Sequence, residues 1–399
     1  MNKNIKLAVA GAVLALSASA NAGIIIPAGD WTIDINGNVN AYAIMGSAKN
    51  DNAVVQGLAN KKDASGEKDG VGINTGLLPA WLGFTGTTRQ NDLDVSFTIS
   101  MQPNVSDNGA AGDAKTPLFR QANLTFGDKS WGSFKLGKDI GIFASNAILN
   151  DMTLLGVGAQ GATGNMSGGS TTLGGIGTGY IYAAWKGQVA YTTPNMGGFQ
   201  ATIGITNPNQ GVSGTGVTSS INSLSQDRFG VEGQANYSFA ADAFSGKVWV
   251  GGATYKVKPT SAIEYTATAG DIGANLNAGA VGITGYYYKG EGAGTTLFLL
   301  EGASTTGGKR DSDGGYVQAT YKIGSTKLGV AYGLSKLDLA SGESASTLVK
   351  ENERTTVGAY HALTKHLNLV GEYNHVQATS HLNLKNTSDT VSLGAILFF

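Results

Sequence analysis

The sequence has 399 residues and is nearly neutral, with 27 basic and 28 acidic residues and a mean hydropathy of −0.04. There is no basic excess to hold nucleic acid, and the absence of cysteine excludes a disulfide framework, thiolate metal sites and thiol nucleophiles. Its 60 glycines, 7 prolines and many Asn, Ser and Thr suit short strands and turns better than a helical or α/β domain, while 41% hydrophobic residues argue against disorder.

Residues 1–22 stand apart from the rest. Lys3 and Lys6 give a positive start, Leu7 to Leu16 an apolar stretch, and Ala20-Asn21-Ala22 a small-residue cleavage site. The apolar stretch is about ten residues, half of the roughly 20 that a spanning helix needs. This is the pattern of a signal peptide, with a mature chain expected over 23–399 as one domain. Without Lys3 and Lys6 the mature chain carries 25 basic against 28 acidic residues, a net of −3. It has no apolar run of about 18 residues, so any membrane span must be made of strands.

Alternation supplies those strands. Trp31, Ile33, Ile35, Val39 and Ala41 alternate with Thr32, Asp34, Asn36, Asn38 and Asn40. Leu93, Val95, Phe97, Ile99 and Met101 alternate with Asp94, Ser96, Thr98 and Ser100. Phe229, Val231, Ala235, Tyr237 and Phe239 do so with Arg228, Glu232, Gln234, Asn236 and Ser238. Val391, Leu393, Ala395, Leu397 and Phe399 do the same against Thr390, Ser392 and Gly394.

In chain order the pattern predicts strands near 30–46, 79–88, 92–102, 117–127, 132–139, 180–193, 196–206 and 227–239. It continues with 244–257, 262–276, 278–289, 313–323, 325–335, 353–363, 366–377 and 388–399. The further apolar run Thr295 to Leu300 is assigned to a loop, because single-chain bacterial barrels keep an even strand number.

Connections alternate in length: tight at Arg89-Gln90-Asn91, Asp128 to Trp131, Pro194-Asn195 and Gly324-Ser325, long at 47–78, 139–179, 207–226, 290–312 and 336–352. Aromatics gather near strand ends, as at Trp31, Trp81, Tyr191, Phe199, Tyr286, Tyr321 and Tyr332. A soluble sandwich also alternates. Strand number, the leader and alternating loop length favour an all-β, transmembrane antiparallel β-barrel of about 16 strands in the bacterial outer membrane.

Short motifs in order along the mature chain resemble the general-diffusion porins of Gram-negative bacteria. They are Trp81 to Gly86, Phe119-Arg120-Gln121-Ala122, Trp131 to Lys138, Tyr191 to Phe199 and the terminal Phe399. The resemblance implies a 16-stranded barrel, usually a homotrimer, whose third outer loop folds inward to narrow the pore. It implies contact with outer-membrane lipid and lipopolysaccharide, and use of Phe399 by the barrel-assembly machinery. It also places Arg120 at the constriction, although alternation with Leu118, Ala122, Leu124 and Phe126 aims that residue outward. The first outer loop, Lys49 to Gly76, departs from the family in being long and charged.

A diffusion pore for small hydrophilic solutes needs width, wet walls and a local field, and no reaction or cofactor. Loop 139–179 carries Asp139 and Asp151 beside Ile140, Ile142, Phe143, Ile148, Leu149, Met152, Leu154 and Leu155, which can pack it on the inner wall. Lys135, Lys186, Arg228 and Lys322, with Lys327 and Arg354, offer opposite charge on faces assigned to the lumen, and a transverse field follows from such an arrangement. The blander alternative is that the aspartates cap turns and the basic groups are scattered.

Catalysis finds little support. The histidines are His361, His366, His375 and His381, three of them at strand ends or in a loop, and no metal-binding spacing or phosphate loop is present. A channel specific for sugars or organic acids is the main rival function. A plugged structural or adhesin barrel is the third.

Overall fold

The computed structural model describes residues 23–63, 65–103, 105, 118–160, 171–207, 227–260 and 263–399. The leader expected over 1–22 lies outside them, as do 208–226 of one long loop and 161–170 of another.

The strands are β1 (Ile24–Ala28), β2 (Trp31–Ala48), β3 (Asp69–Asn74), β4 (Trp81–Gln90), β5 (Leu93–Gln102), β6 (Leu118–Asp128), β7 (Gly132–Ile140), β8 (Trp185–Thr192) and β9 (Phe199–Thr206). They continue as β10 (Gly230–Ala240), β11 (Phe244–Thr260), β12 (Ile263–Ala278), β13 (Val281–Glu291), β14 (Asp311–Ile323), β15 (Thr326–Leu337), β16 (Val349–Ala362), β17 (Leu367–Ser380) and β18 (Lys385–Phe398). Each of the sixteen segments read from alternation is a strand here.

Every neighbouring pair is antiparallel, and the pairings of β9 with β10 and β18 with β2 close β2 and β4 to β18 into a sixteen-stranded wall. β1 and β3 are additions to β2 that alternation did not mark. β1 continues the line of β18 along the same edge, pairing with Trp31–Ile35 where β18 pairs with Asn38–Ala48. β3 lies within the first long loop and pairs with the outer part of β2. The run 295–300 is loop, as expected from even strand number.

Two faces follow from the pleat. Along β13 the buried positions are Gly282, Thr284, Tyr286, Tyr288 and Gly290, whereas Val281, Ile283 and Tyr287 are exposed. Across the wall the exposed row is Val, Ile, Leu, Phe and Tyr, for example Ile203, Val250, Ile272, Val317, Val330, Val357 and Leu393. The inward row is rich in Asn, Gln, Ser, Thr and Tyr and carries charged groups such as Lys186, Glu232, Arg354 and Glu372, and this inversion of a soluble protein is what a lipid-facing barrel requires. No helix among the described residues is long and apolar enough to cross a membrane.

One end has only tight connections, and the other carries the long loops together with the short links 261–262 and 381–384. Asn91 and Asp92, both in the left-handed region (φ 48° and 63°), form the two-residue turn between β4 and β5. The seam where β18 meets β2 depends on Gly37, whose backbone exchanges hydrogen bonds with Phe399 at 2.8 and 3.0 Å. A Cβ there would stand 2.2 Å from the Trp81 carbonyl oxygen and 2.8 Å from the Phe399 ring, so only glycine lets the three segments meet.

Candidate functional site

The third long loop, 141–184, leaves β7 and turns into the barrel. A five-residue helix α1 (Ser145–Leu149) is followed by a 3-10 turn over Met152–Leu155. Ala147, Ile148, Leu154, Ile176, Tyr180 and Ile181 of the loop form one buried cluster with Trp249, Tyr286, Tyr288 and Tyr316 of the wall. The apolar residues therefore do what the sequence suggested, holding the loop against the inner wall. Tyr286 and Tyr316 stack at 5.6 Å, and Tyr180 meets the face of Tyr316 edge-on at 5.7 Å.

Packing alone leaves the loop backbone's polar groups unsatisfied, and carboxylates from the wall supply the acceptors. Glu232 of β10 accepts the Ile142 and Phe143 amides at 2.7 and 3.0 Å, while its other oxygen takes Lys186 and the Tyr255 hydroxyl, each at 2.6 Å. Glu372 of β17 accepts the Val157 and Gly158 amides, both at 2.9 Å, and the Tyr360 hydroxyl at 2.7 Å. A Cβ on Gly156 would lie 1.9 Å from Glu372 Oε1, so glycine is needed where the loop presses on that carboxylate. Between these anchors, Gln318 of β14 accepts the Met152 amide at 2.9 Å and donates to the Asn150 carbonyl at 2.7 Å.

Asp151 holds the loop to itself and to β16. It accepts the Thr153 amide and hydroxyl at 2.9 and 2.8 Å, and the Gly175 amide and Tyr180 hydroxyl at 2.8 Å each. Arg354 stands 3.8 Å away and donates to Thr178 and Thr356. Asp139 is also buried, bonded to Lys135 at 2.5 Å and Gln121 at 3.1 Å.

A second loop, 292–310, closes over the first. Thr296 accepts the Tyr182 amide at 2.9 Å, and Phe298 packs on Phe143 and Tyr255 at 5.6 and 5.1 Å. Sequence reading did not foresee this inward fold. Its outer end is tied by Arg310, which bonds Glu301 at 2.9 Å and Glu343 at 2.5 Å. The Arg310 guanidinium holds the Glu343 carboxyl below the usual carboxylate range.

The six residues singled out from sequence thus separate. Asp139 and Lys135 meet at the junction of β7 and the loop; Lys186 lies deeper, against Glu232; Asp151 is inside the loop. Arg228 is not brought to them: β10 begins only at Gly230, and Arg228 is exposed and paired with Asp227 at 3.3 Å. Arg120 sits at a β-bulge where the ladder passes from Ser100–Gln121 to Met101–Phe119. There the next residue, Gln121, and not Arg120 contacts Asp139. Glu232, Glu372 and Lys247 were not recognised as part of the site. Glu232 was visible on the polar face of its strand, but a backbone amide as its partner leaves no mark in sequence.

A profile of the Gram-negative porin family matches residues 7–381. No curated protein matches the sequence. Among solved structures, the outer-membrane channel DcaP of Acinetobacter baumannii is similar over 94% of this chain and 99% of its own, with a TM-score of 0.67 at 15% identity. OmpF of Salmonella typhi, solved with daunomycin, is similar over 94% and 100%, with a TM-score of 0.61 at 17% identity. OmpT of Vibrio cholerae is similar over 94% and 100%, with a TM-score of 0.56 at 14% identity. With the sixteen-stranded wall and inward loop already in view, the profile match across most of its length makes this chain a member of the Gram-negative porin family.

Proposed function

We propose that the protein is a water-filled outer-membrane channel for passive diffusion of small hydrophilic solutes, narrowed by loop 141–184 and carrying out no chemical step. The observation that carries this reading is the inward row of amides and hydroxyls on the sixteen-stranded wall, with an apolar row outside. Width follows from strand number, since eight strands leave an interior that side chains fill and sixteen leave a channel. In this reading Asp139, Lys135 and Gln121 border the aperture, and Lys186 and Asp151 fix the loop that defines it. Arg120, one position from Gln121, and Arg228, on the exposed rim, complete the set proposed from sequence.

The chain is further proposed to act as a homotrimer, in keeping with its family and with the trimer form described for Vibrio cholerae OmpT. Outward Lys256 and Lys258, clustered with Glu264 and Asp227, suit a rim that meets lipopolysaccharide headgroups. Phe399, at the β2–β18 seam, is the proposed signal for barrel assembly, and removal of the leader 1–22 precedes it. Planar-bilayer recording of the purified protein tests the channel and the trimer together. Conductance steps in threes support both, single steps count against the trimer, and a silent protein favours a barrel plugged by its two inward loops.

A further inference from the structure

The charges inside the barrel are unevenly neutralised. Toward the long-loop end, Asp139, Asp151, Glu232, Asp271 and Glu372 are all buried. Lys135, Lys186 and Arg354 stand against three of them; amides and a hydroxyl bond Glu372, and Asp271 accepts the Tyr286 hydroxyl through Oδ2 while its Oδ1 has no hydrogen-bond partner among the described residues. Toward the short-turn end the balance reverses. Lys322 and Lys327 are direct partners in the β14–β15 ladder, and both fall on the inward phase of their strands. Lys327 Nζ lies 5.1 Å from the centre of the Tyr360 ring, and neither lysine has a carboxylate partner among the described residues. Lys247 of β11, on the same side of the loop, donates only to the neutral Asn146 side chain at 2.6 Å.

The carboxylates at this end stand apart from the lysine pair: Asp94 and Asp128 share Arg89 at 2.8 and 3.0 Å on β4 to β6, and Asp34 lies on β2. Two like charges directly opposed on one face of a sheet repel and destabilise it. Such a pair is relieved by an anion placed between the ammonium groups.

We infer that the short-turn mouth of the channel collects anions, with Lys322 and Lys327 forming a weak site for compact oxyanions bearing carboxylate or phosphate, and Lys247 extending the positive field toward the loop. This rests on the reading of the chain as an open channel. A unit charge about 8 Å from the ion path in water changes local ion concentration by a factor of roughly two, and salt screening reduces that only in part. The lysine pair therefore acts on selectivity and leaves the width of the aperture alone.

Reversal potentials under a potassium chloride gradient test it. The protein is expected to pass chloride in preference to potassium, and K322Q/K327Q to lower that ratio by roughly two- to fourfold at similar conductance. Inorganic phosphate or succinate added on the short-turn side is expected to reduce the wild-type current more than the same addition on the long-loop side. This second measurement needs no variant and stands if K322Q/K327Q fails to assemble. Potassium preference in the wild type, an unchanged ratio in the variant, or equal block from the two sides overturns the inference while leaving the channel intact. Absence of any conductance overturns the channel reading and this inference with it.

Discussion

The two halves of the barrel interior use charge in opposite ways. Around loop 141–184, carboxylates are buried and bonded to backbone amides, tyrosine hydroxyls, lysine or arginine. In the short-turn half, Lys322 is exposed and Lys327 and Lys247 are partly buried, and none of the three has a carboxylate beside it among the described residues. The first arrangement holds a shape, because a buried charge deprived of its partners is costly and so resists movement. The second exerts a field, because its charge is not cancelled nearby. A charged residue in a pore wall is thus not automatically a selectivity residue; its partners decide.

The comparison breaks most severely at Arg354. Arg354→Met leaves the Asp151 carboxylate buried without its cation, a loss expected to cost about 3–5 kcal/mol. Thermal unfolding should shift downward, and single-channel traces should become noisy as the loop loses its hold on β16. A quiet channel of unchanged thermal stability would show that the hydroxyls and amides around Asp151 suffice.

Glu372→Gln keeps the volume but turns one acceptor into a donor facing the Val157 or Gly158 amide or the Tyr360 hydroxyl. The expected loss is about 1–3 kcal/mol for a buried group left unpaired. Hydrogen exchange at the Val157 and Gly158 amides should become faster than in the wild type. Equal protection would mean that the apolar cluster alone pins this part of the loop.

Asp139→Asn tests the long-loop half at its junction with β7. It releases Lys135 from its ion pair and adds a free positive charge at the aperture, so the chloride-to-potassium ratio should rise. The change is expected to be roughly twofold, that of one charge about 8 Å from the path. An unchanged ratio would place Asp139 among the buried supports instead of the pore lining.

The smallest effect is expected from acid at the outer latch. Arg310 lowers the Glu343 carboxyl below its unfolded value, so the latch is complete above about pH 4.3, the ordinary glutamate value, and is lost as pH falls through the folded one. Hydrogen exchange at the Ala340 amide, which donates to Glu343 at 3.0 Å, should stay slow at pH 6 and accelerate only in stronger acid.

The barrel was legible in the sequence because its signal is periodic. A strand between lipid and water must alternate at every second residue, and sixteen segments do so with turns of alternating length. β1 and β3 escaped because they are short additions to the edge of another strand; Ile24-Ile25-Ile26 shows no alternation at all. The inward direction of loop 141–184 was readable from its apolar residues. Its attachment was not, because Glu232 and Glu372 bond to backbone amides brought close only by the closed wall. Arg228 and Arg120 show the same limit at strand ends: a later strand start and a bulge displace a side chain that simple alternation assigns to a face.

What the sequence determined by itself is the set of strands, their two chemically distinct faces and the loop that turns inward, since each depends on the order of neighbouring side chains. Which charges are cancelled and which remain free was decided only by the tertiary structure. Asp139 and Asp151 look alike in sequence, as do Lys186 and Lys327, and their roles diverge because burial and partner distance depend on which distant strand closes against them.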